Sequence, residues 1–164
     1  MTGGQAMATR QRAALAVDLG RVRLGLAYCD ERGEVSLALE VWQRKGTRLD
    51  IDHIAQCAAR LSTTVFVLGL PPDQGDGGGT HQLARNFAQA LRNRLELPVF
   101  MVDEADTSVQ AHAELAAQGM RAAQRRTVID KHAAQRILDR WLGGWAAEEI
   151  LPSIQAVPAI TGAQ

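Results

Sequence analysis

The chain has 164 residues, 46% hydrophobic and 22% charged, with no net charge at neutral pH, which fits one globular domain with a substantial core. No apolar run approaches the roughly 20 residues that span a bilayer, and the first residues carry no secretory pattern. Zero net charge also argues against a protein that coats nucleic acid by bulk electrostatics. In chain order, Ala13–Asp18 and Val22–Cys29 are apolar runs separated by Gly20-Arg21, and they predict two strands. Val35, Leu37, Leu39 and Val41 alternate with other residues, the period of a third strand. Short turns between the three predict an antiparallel meander. Leu49 to Leu61 changes to helical spacing. Thr64–Leu68 is a short apolar strand suited to the middle of a sheet, and a loop with four Gly and two Pro runs from Pro71 to Gly79. A helix striped by Leu83, Phe87, Leu91 and Leu95 leads to a last strand at Pro98–Val102. A further helix is expected from about Thr107. An Arg-rich connection then precedes a final helix striped by Ala133, Ala134, Ile137, Leu138, Trp141 and Leu142.

Strands reached by helical crossovers should lie parallel to the first. The expected fold class is therefore α/β: a mixed five-stranded sheet, three antiparallel strands then two parallel, with helices on both faces. Residues 1–12 read as a disordered or tag-like N-terminus, 13–142 as a single domain, and 143–164 as an extended or disordered tail. Cys29 and Cys57 lie in apolar stretches and predict buried free thiols in a reducing cytoplasm. His53, His81, His112 and His132 are scattered, and none shows zinc-site spacing.

Three acids stand out. The C-terminal ends of parallel strands share one edge of such a sheet. Asp18 closes the first strand, Glu104 follows the last, and Gly69 closes the strand between them. Asp130 is expected to open the final helix, one turn before the Ala133-Ala134 pair. Clustered carboxylates repel one another, and hard cations such as Mg²⁺ or Mn²⁺ offset that repulsion through oxygen ligands. Two such ions about 3.5–4 Å apart can activate water and stabilise a leaving oxygen in phosphodiester hydrolysis. Each acid also has a purely structural explanation. Asp18 could form an Asx-turn before Gly20, Glu104 could be a loop charge, and Asp130 could serve a helix start capped by Thr127. The segment from Arg121 to Arg140 is the one strongly basic stretch, with Arg121, Arg125, Arg126, Lys131, Arg136 and Arg140 against Asp130 and Asp139.

Four segments resemble a known family. Asp18-Leu19-Gly20-Arg21-Val22-Arg23-Leu24-Gly25-Leu26-Ala27-Tyr28-Cys29-Asp30 is similar to the opening motif of the YqgF/RuvX family. Val67-Leu68-Gly69-Leu70-Pro71 with its glycine loop resembles the second motif, Asp103 to Ser108 the third, and Asp130 to Leu138 the fourth. The resemblance runs from about Leu15 to Leu142. It implies an RNase H-like fold and a metal-dependent nuclease, with Asp18, Glu104 and Asp130 ligating Mg²⁺ or Mn²⁺. Family members have been assigned to maturation of the small-subunit ribosomal RNA precursor, and others to cutting Holliday junctions. Arg23 matches the family's basic residue on the second strand, where it could contact phosphate or hold a carboxylate. In the third motif Ala105 and Asp106 replace the usual Arg and Leu, which removes one candidate phosphate contact.

The reading that follows is a cytoplasmic nuclease that processes the 5′ end of pre-16S rRNA. Arg23, Arg125 and Arg126 would contact the backbone of structured RNA. The alternative is a resolvase acting on branched DNA, whose two-fold symmetry would call for a homodimer. A second alternative is a non-catalytic nucleic-acid-binding module. An actin-like ATPase half is disfavoured, because only Asp18-Leu19-Gly20 makes such a turn at the end of a strand and only one domain is expected. No membrane partner is expected.

Overall fold

Two apolar strands set the centre of the sheet. β1 (Ala14–Leu19) and β4 (Val65–Leu70) are buried almost end to end, as strands covered on both faces must be. The protein is described from a computed structural model covering residues 12–75, 79–104, 113–114 and 116–153, without the side chains of residues 123 and 125–131. β1 pairs antiparallel with β2 (Arg23–Cys29), and β2 pairs antiparallel with β3 (Ser36–Gln43). On its other side β1 lies parallel to β4, and β4 lies parallel to β5 (Val99–Asp103). This is the mixed α/β sheet expected from the sequence.

The strand count differs. Among the described residues the sheet has six strands, in the order β3-β2-β1-β4-β5-β6, rather than five. β6 (Ala147–Ile150) pairs antiparallel with β5 and lies in the stretch read as an extended tail. It is only four residues long, and Glu148-Glu149 gives it no apolar pattern. Its support comes from far away in sequence.

That support is a helix on one face of the sheet. α1 (Thr47–Arg60) and α2 (Thr80–Leu95) cover this face, and α3 (Ala122–Leu142) covers the other. From α2, Arg85 forms a two-pronged pair with Glu148 at 2.7 and 3.2 Å, and Gln89 donates to the Leu151 carbonyl at 2.9 Å.

β1 divides its side chains between the two layers, as strand alternation requires. Leu15, Val17 and Leu19 join the core under α1 and α2, while Ala14 and Ala16 join the core under α3. α3 meets that second face with Ala134, Ile137, Leu138 and Trp141, all nearly inaccessible. Small residues on both sides allow the helix to sit close to the sheet. Cys29 and Cys57 are buried free thiols, in the cores on opposite faces.

α3 begins earlier than its apolar stripe suggests. Asp130 therefore lies well inside the helix rather than opening it, and the Arg-rich connection is its first part. Ala, Gln and Arg are good helix formers, and the Gln124 side chain accepts the Arg121 backbone N–H at 3.3 Å. The apolar stripe marks the turns from Ala134 to Trp141, which pack on the sheet. The helix expected from about Thr107 starts outside the described residues, as do residues 1–11. No helix among the described residues is long and apolar enough to cross a membrane.

A buried ion pair fastens the first hairpin to α1. Asp50 is fully buried in the first turn of α1. Its carboxylate accepts Trp42 Nε1 at 3.1 Å, Arg44 Nε at 2.9 Å and the Lys45 backbone N–H at 2.9 Å. Arg44 also donates to the Gly20 carbonyl at 3.2 Å, in the turn just after Asp18. Removing one partner of a buried pair strands the other charge. Asp50→Ala is therefore expected to destabilise the fold by about 3–5 kcal/mol, read as a lowered midpoint in urea unfolding.

Candidate active site

The alternation that sends Ala14 and Ala16 beneath α3 sends Asp18 to the same face. On β4, Val65 and Val67 face α3, so Gly69 does too. On β5, Val102 faces α3, and Glu104 follows it by two residues. Register aligns Val17 with Leu68, and Gly69 with Val102. Asp18 therefore lies level with Gly69 at the C-terminal edge of the parallel strands, and Glu104 lies two residues beyond Val102, the register partner of Gly69.

Adjacent strands are about 4.8 Å apart, so Glu104 must cross β4 to reach Asp18. It does so, and its carboxyl hydrogen-bonds to Asp18. Its own backbone N–H donates to the Leu70 carbonyl at 3.0 Å, fixing where the crossing starts. Gly69 leaves the path open. A Cβ at position 69 would lie 2.7 Å from Glu104 Cγ, and nearer still to the carboxyl group. No side chain can occupy that space while Glu104 does.

The contact changes the chemistry of Glu104. Burial, the charge of Asp18 and the hydrogen bond between them push its pKa up to about 8 from the ordinary 4.5. Arg140 partly offsets this, and Asp103 adds to it. Arg140, on the last turn of α3, is held in place by a 2.6 Å hydrogen bond to the Asp103 carbonyl and by the Trp145 ring, 4.4 Å from its guanidinium carbon. Two carboxyl groups this close share a proton near neutral pH unless a cation takes its place.

The turn after Asp18 is equally constrained. The Gly20 N–H donates to the Arg23 carbonyl at 2.8 Å, and a Cβ on Gly20 would lie 2.6 Å from that same oxygen. Arg23 opens β2, two residues before Gly25, the register partner of Asp18. It is exposed, on the same sheet face as Asp18. Asp18 and Glu104 are thus brought together, with Arg23 at the rim. Asp130, Arg125 and Arg126 belong to the α3 backbone, and their side chains lie outside the described residues, as do Ala105 and Asp106. Sequence reasoning missed Arg140, Arg44 and Asp50. It noted Gly69 only as the end of a strand, although a glycine inside an apolar strand signals a close approach.

A mixed parallel sheet that brings two carboxylates together across its central strands fits a nuclease. The pattern of the RuvX family, described as Holliday junction resolvase, matches residues 12–144, and the chain belongs to that family. A relative from Anaeromyxobacter dehalogenans (strain 2CP-C), provisionally named a pre-16S rRNA nuclease, is 40% identical over 129 residues, 78% of this chain and 94% of that protein. One from Picosynechococcus sp. (strain ATCC 27264 / PCC 7002 / PR-6), named the same way, is 37% identical over 131 residues, 79% of this chain and 91% of that protein. Among solved structures, T. thermophilus RuvC in complex with Holliday junction substrate superposes with a TM-score of 0.53 at 14% identity, covering 85% of this chain and 99% of that one. At that identity the likeness concerns the fold.

Two predictions follow from the crossing. Gly69→Ala should fold but displace Glu104, lowering cleavage about 10–100-fold, the scale of losing a group that orients a metal ligand. Circular dichroism and a single-turnover assay would separate the two effects. The second concerns pH. Folded Glu104 keeps its proton up to about 8, whereas an unfolded carboxyl loses it near 4.5. Between those values the folded state binds more protons, so the metal-free chain loses stability as pH rises through the window. Glu104→Gln carries no such proton. Its melting temperature is expected to gain on the wild type as pH is raised from about 5 to about 8; a constant difference would contradict the shared proton.

Proposed function

We propose that the chain is a divalent-metal-dependent nuclease of the cytoplasm that trims the 5′ end of pre-16S rRNA. The observation that carries this reading is the Asp18–Glu104 contact across Gly69. The names of the curated relatives support the RNA substrate. Asp18 and Glu104 offer oxygen donors, and two acids that repel each other fit a hard cation, Mg²⁺ or Mn²⁺. Such an ion, when bound, activates water and stabilises the leaving oxygen.

Asp18 would hold the cation, and Glu104 would complete its shell and orient the attacking water. Helix and strand spacing support Asp130 as the third ligand. Ala134 packs in the same core as Ala14 and Ala16. From Ala16 to Asp18 the strand advances about 6–7 Å, and from Ala134 back to Asp130 the helix covers about 6 Å. α3 also runs against β1. Gln135 and Asp139 bind Ser36, which aligns with Cys29, at the end of β2 away from Asp18. Arg23, Arg125 and Arg126 would contact backbone phosphates, which position substrate without reading sequence.

The family's description favours a second substrate, a four-way DNA junction cut by a homodimer. Cleavage of precursor RNA, single strands and junctions is the test, with Mg²⁺ or Mn²⁺ and with solution mass measured alongside. Wild type should cut precursor RNA and Asp18→Asn should lose at least 100-fold, a conservative figure for removing a charge that acts in the transition state. Equal activity in both proteins would overturn the catalytic assignment. Cleavage of junctions alone would transfer the assignment to the resolvase reading.

A further inference from the structure

The scattered histidines hide one juxtaposition. His53 and Cys57 stand one helical turn apart on α1, and Glu40 reaches them from β3. One donor atom from each of the three lies within 4.8 Å of the others. His53 Nε2 is 2.5 Å from Glu40 Oε1, Cys57 Sγ is 3.5 Å from the same oxygen, and Cys57 Sγ is 3.7 Å from His53 Nε2. We propose that Glu40, His53 and Cys57 bind a zinc ion that staples edge strand β3 to α1.

The geometry can be compared with what zinc requires. Zn–S bonds of about 2.3 Å and Zn–N and Zn–O bonds of about 2.0–2.1 Å at tetrahedral angles set the donors about 3.3–3.6 Å apart. Both sulfur distances already match. Only the His53–Glu40 contact must open, by about 0.8 Å against that ideal, and Glu40 is the most exposed of the three. The His53 ring is held by stacking on Trp42, with centroids 3.7 Å apart and planes within 8°. Trp42 and Glu40 align with Leu24 and Leu26 of β2, whose side chains join the core under α1. An irregularity in register beside Glu40, between Leu26 and Ala27, marks where β3 departs from regular pairing.

The donor set also selects the metal. One thiolate, one imidazole and one carboxylate suit a borderline-soft ion, whereas Mg²⁺ and Mn²⁺ prefer oxygen alone. Zinc with one thiolate and one carboxylate is electrically neutral, which suits a site where Cys57 is only 2% exposed. On binding, the thiol proton passes to solvent as the zinc–sulfur bond forms. The site lies on the α1 face, opposite the face that carries Asp18 and Glu104, so it is independent of the nuclease edge.

Cobalt(II) is the probe, added to the metal-stripped full chain. One equivalent should produce a thiolate-to-cobalt charge-transfer band that Zn²⁺ displaces. The band should persist in Asp18→Asn and in Cys29→Ser and disappear in Cys57→Ser. Losing an outer-shell partner already costs 10–100-fold in metal affinity, so His53→Gln should weaken cobalt binding by about 100-fold or more. It also tests the site should Cys57→Ser fail to fold. Absence of a thiolate band in the wild type, or a band that survives Cys57→Ser or keeps full affinity in His53→Gln, would overturn the proposal.

Discussion

The meeting of Asp18 and Glu104 depends on an empty volume one side chain wide. Glu104 starts on β5 and Asp18 sits on β1, with all of β4 between them. The only route is over position 69, and glycine there is what keeps it clear. Parallel register sets Asp18 level with Gly69, and Glu104, two residues past the partner of Gly69, reaches back over it on the same face. The energetic cost of the arrangement is concentrated in Glu104, whose raised pKa shows how strongly the fold opposes a second negative charge there. A site that resists its own ionisation favours whatever positive charge can enter it.

The remainder of the fold holds that edge still. The Gly20 turn cannot relax, because its backbone closes directly on Arg23, and Arg44 pins the same turn from outside. Arg44 is itself held by buried Asp50, so the position of Asp18 is set by a chain of contacts reaching into α1. On the opposite layer, Arg140 links the end of α3 to the Asp103 carbonyl, immediately before Glu104. The two layers thus grip the two carboxylates separately, one through the β1–β2 turn and the other through the β5 exit.

Much of this was legible in the sequence, for a physical reason. Strands buried on both faces have to be continuously apolar, so β1 and β4 announced themselves, and crossover helices then fixed their parallel order. The acids were visible because each interrupts or ends such a run. What escaped notice was support arriving from a distance. β6 has a single well-buried residue, Ile150, and is held by α2 side chains some 60 positions away. The first turns of α3 carry no continuous apolar stripe, so the sequence signal starts later than the helix does. Asp50 looks like an ordinary acid in a helix's first turn, and only packing reveals three donors converging on it. Glu40, His53 and Cys57 escaped because two lie on a helix and one on a strand, so no linear spacing connects them.

The site's chemistry and its choice of substrate belong to different parts of the chain. Carboxylates that act on a phosphodiester through a cation touch the phosphate and the attacking water, and both are the same in RNA and in a DNA junction. The two names attached to the family's proteins therefore ask nothing different of Asp18 and Glu104. Selection has to arise where more of the nucleic acid is felt. The chain is neutral as a whole, yet most of the charge on α3 is positive. Cations that contact phosphates follow a backbone without reading its bases, so such contacts sort substrates by the path of the phosphates. The helix that carries this charge packs on Ala14, Ala16 and Ala27 through Ala134, Ile137, Leu138 and Trp141. Contacts of that kind would discriminate by shape, through how a strand approaches the edge rather than the sequence it carries.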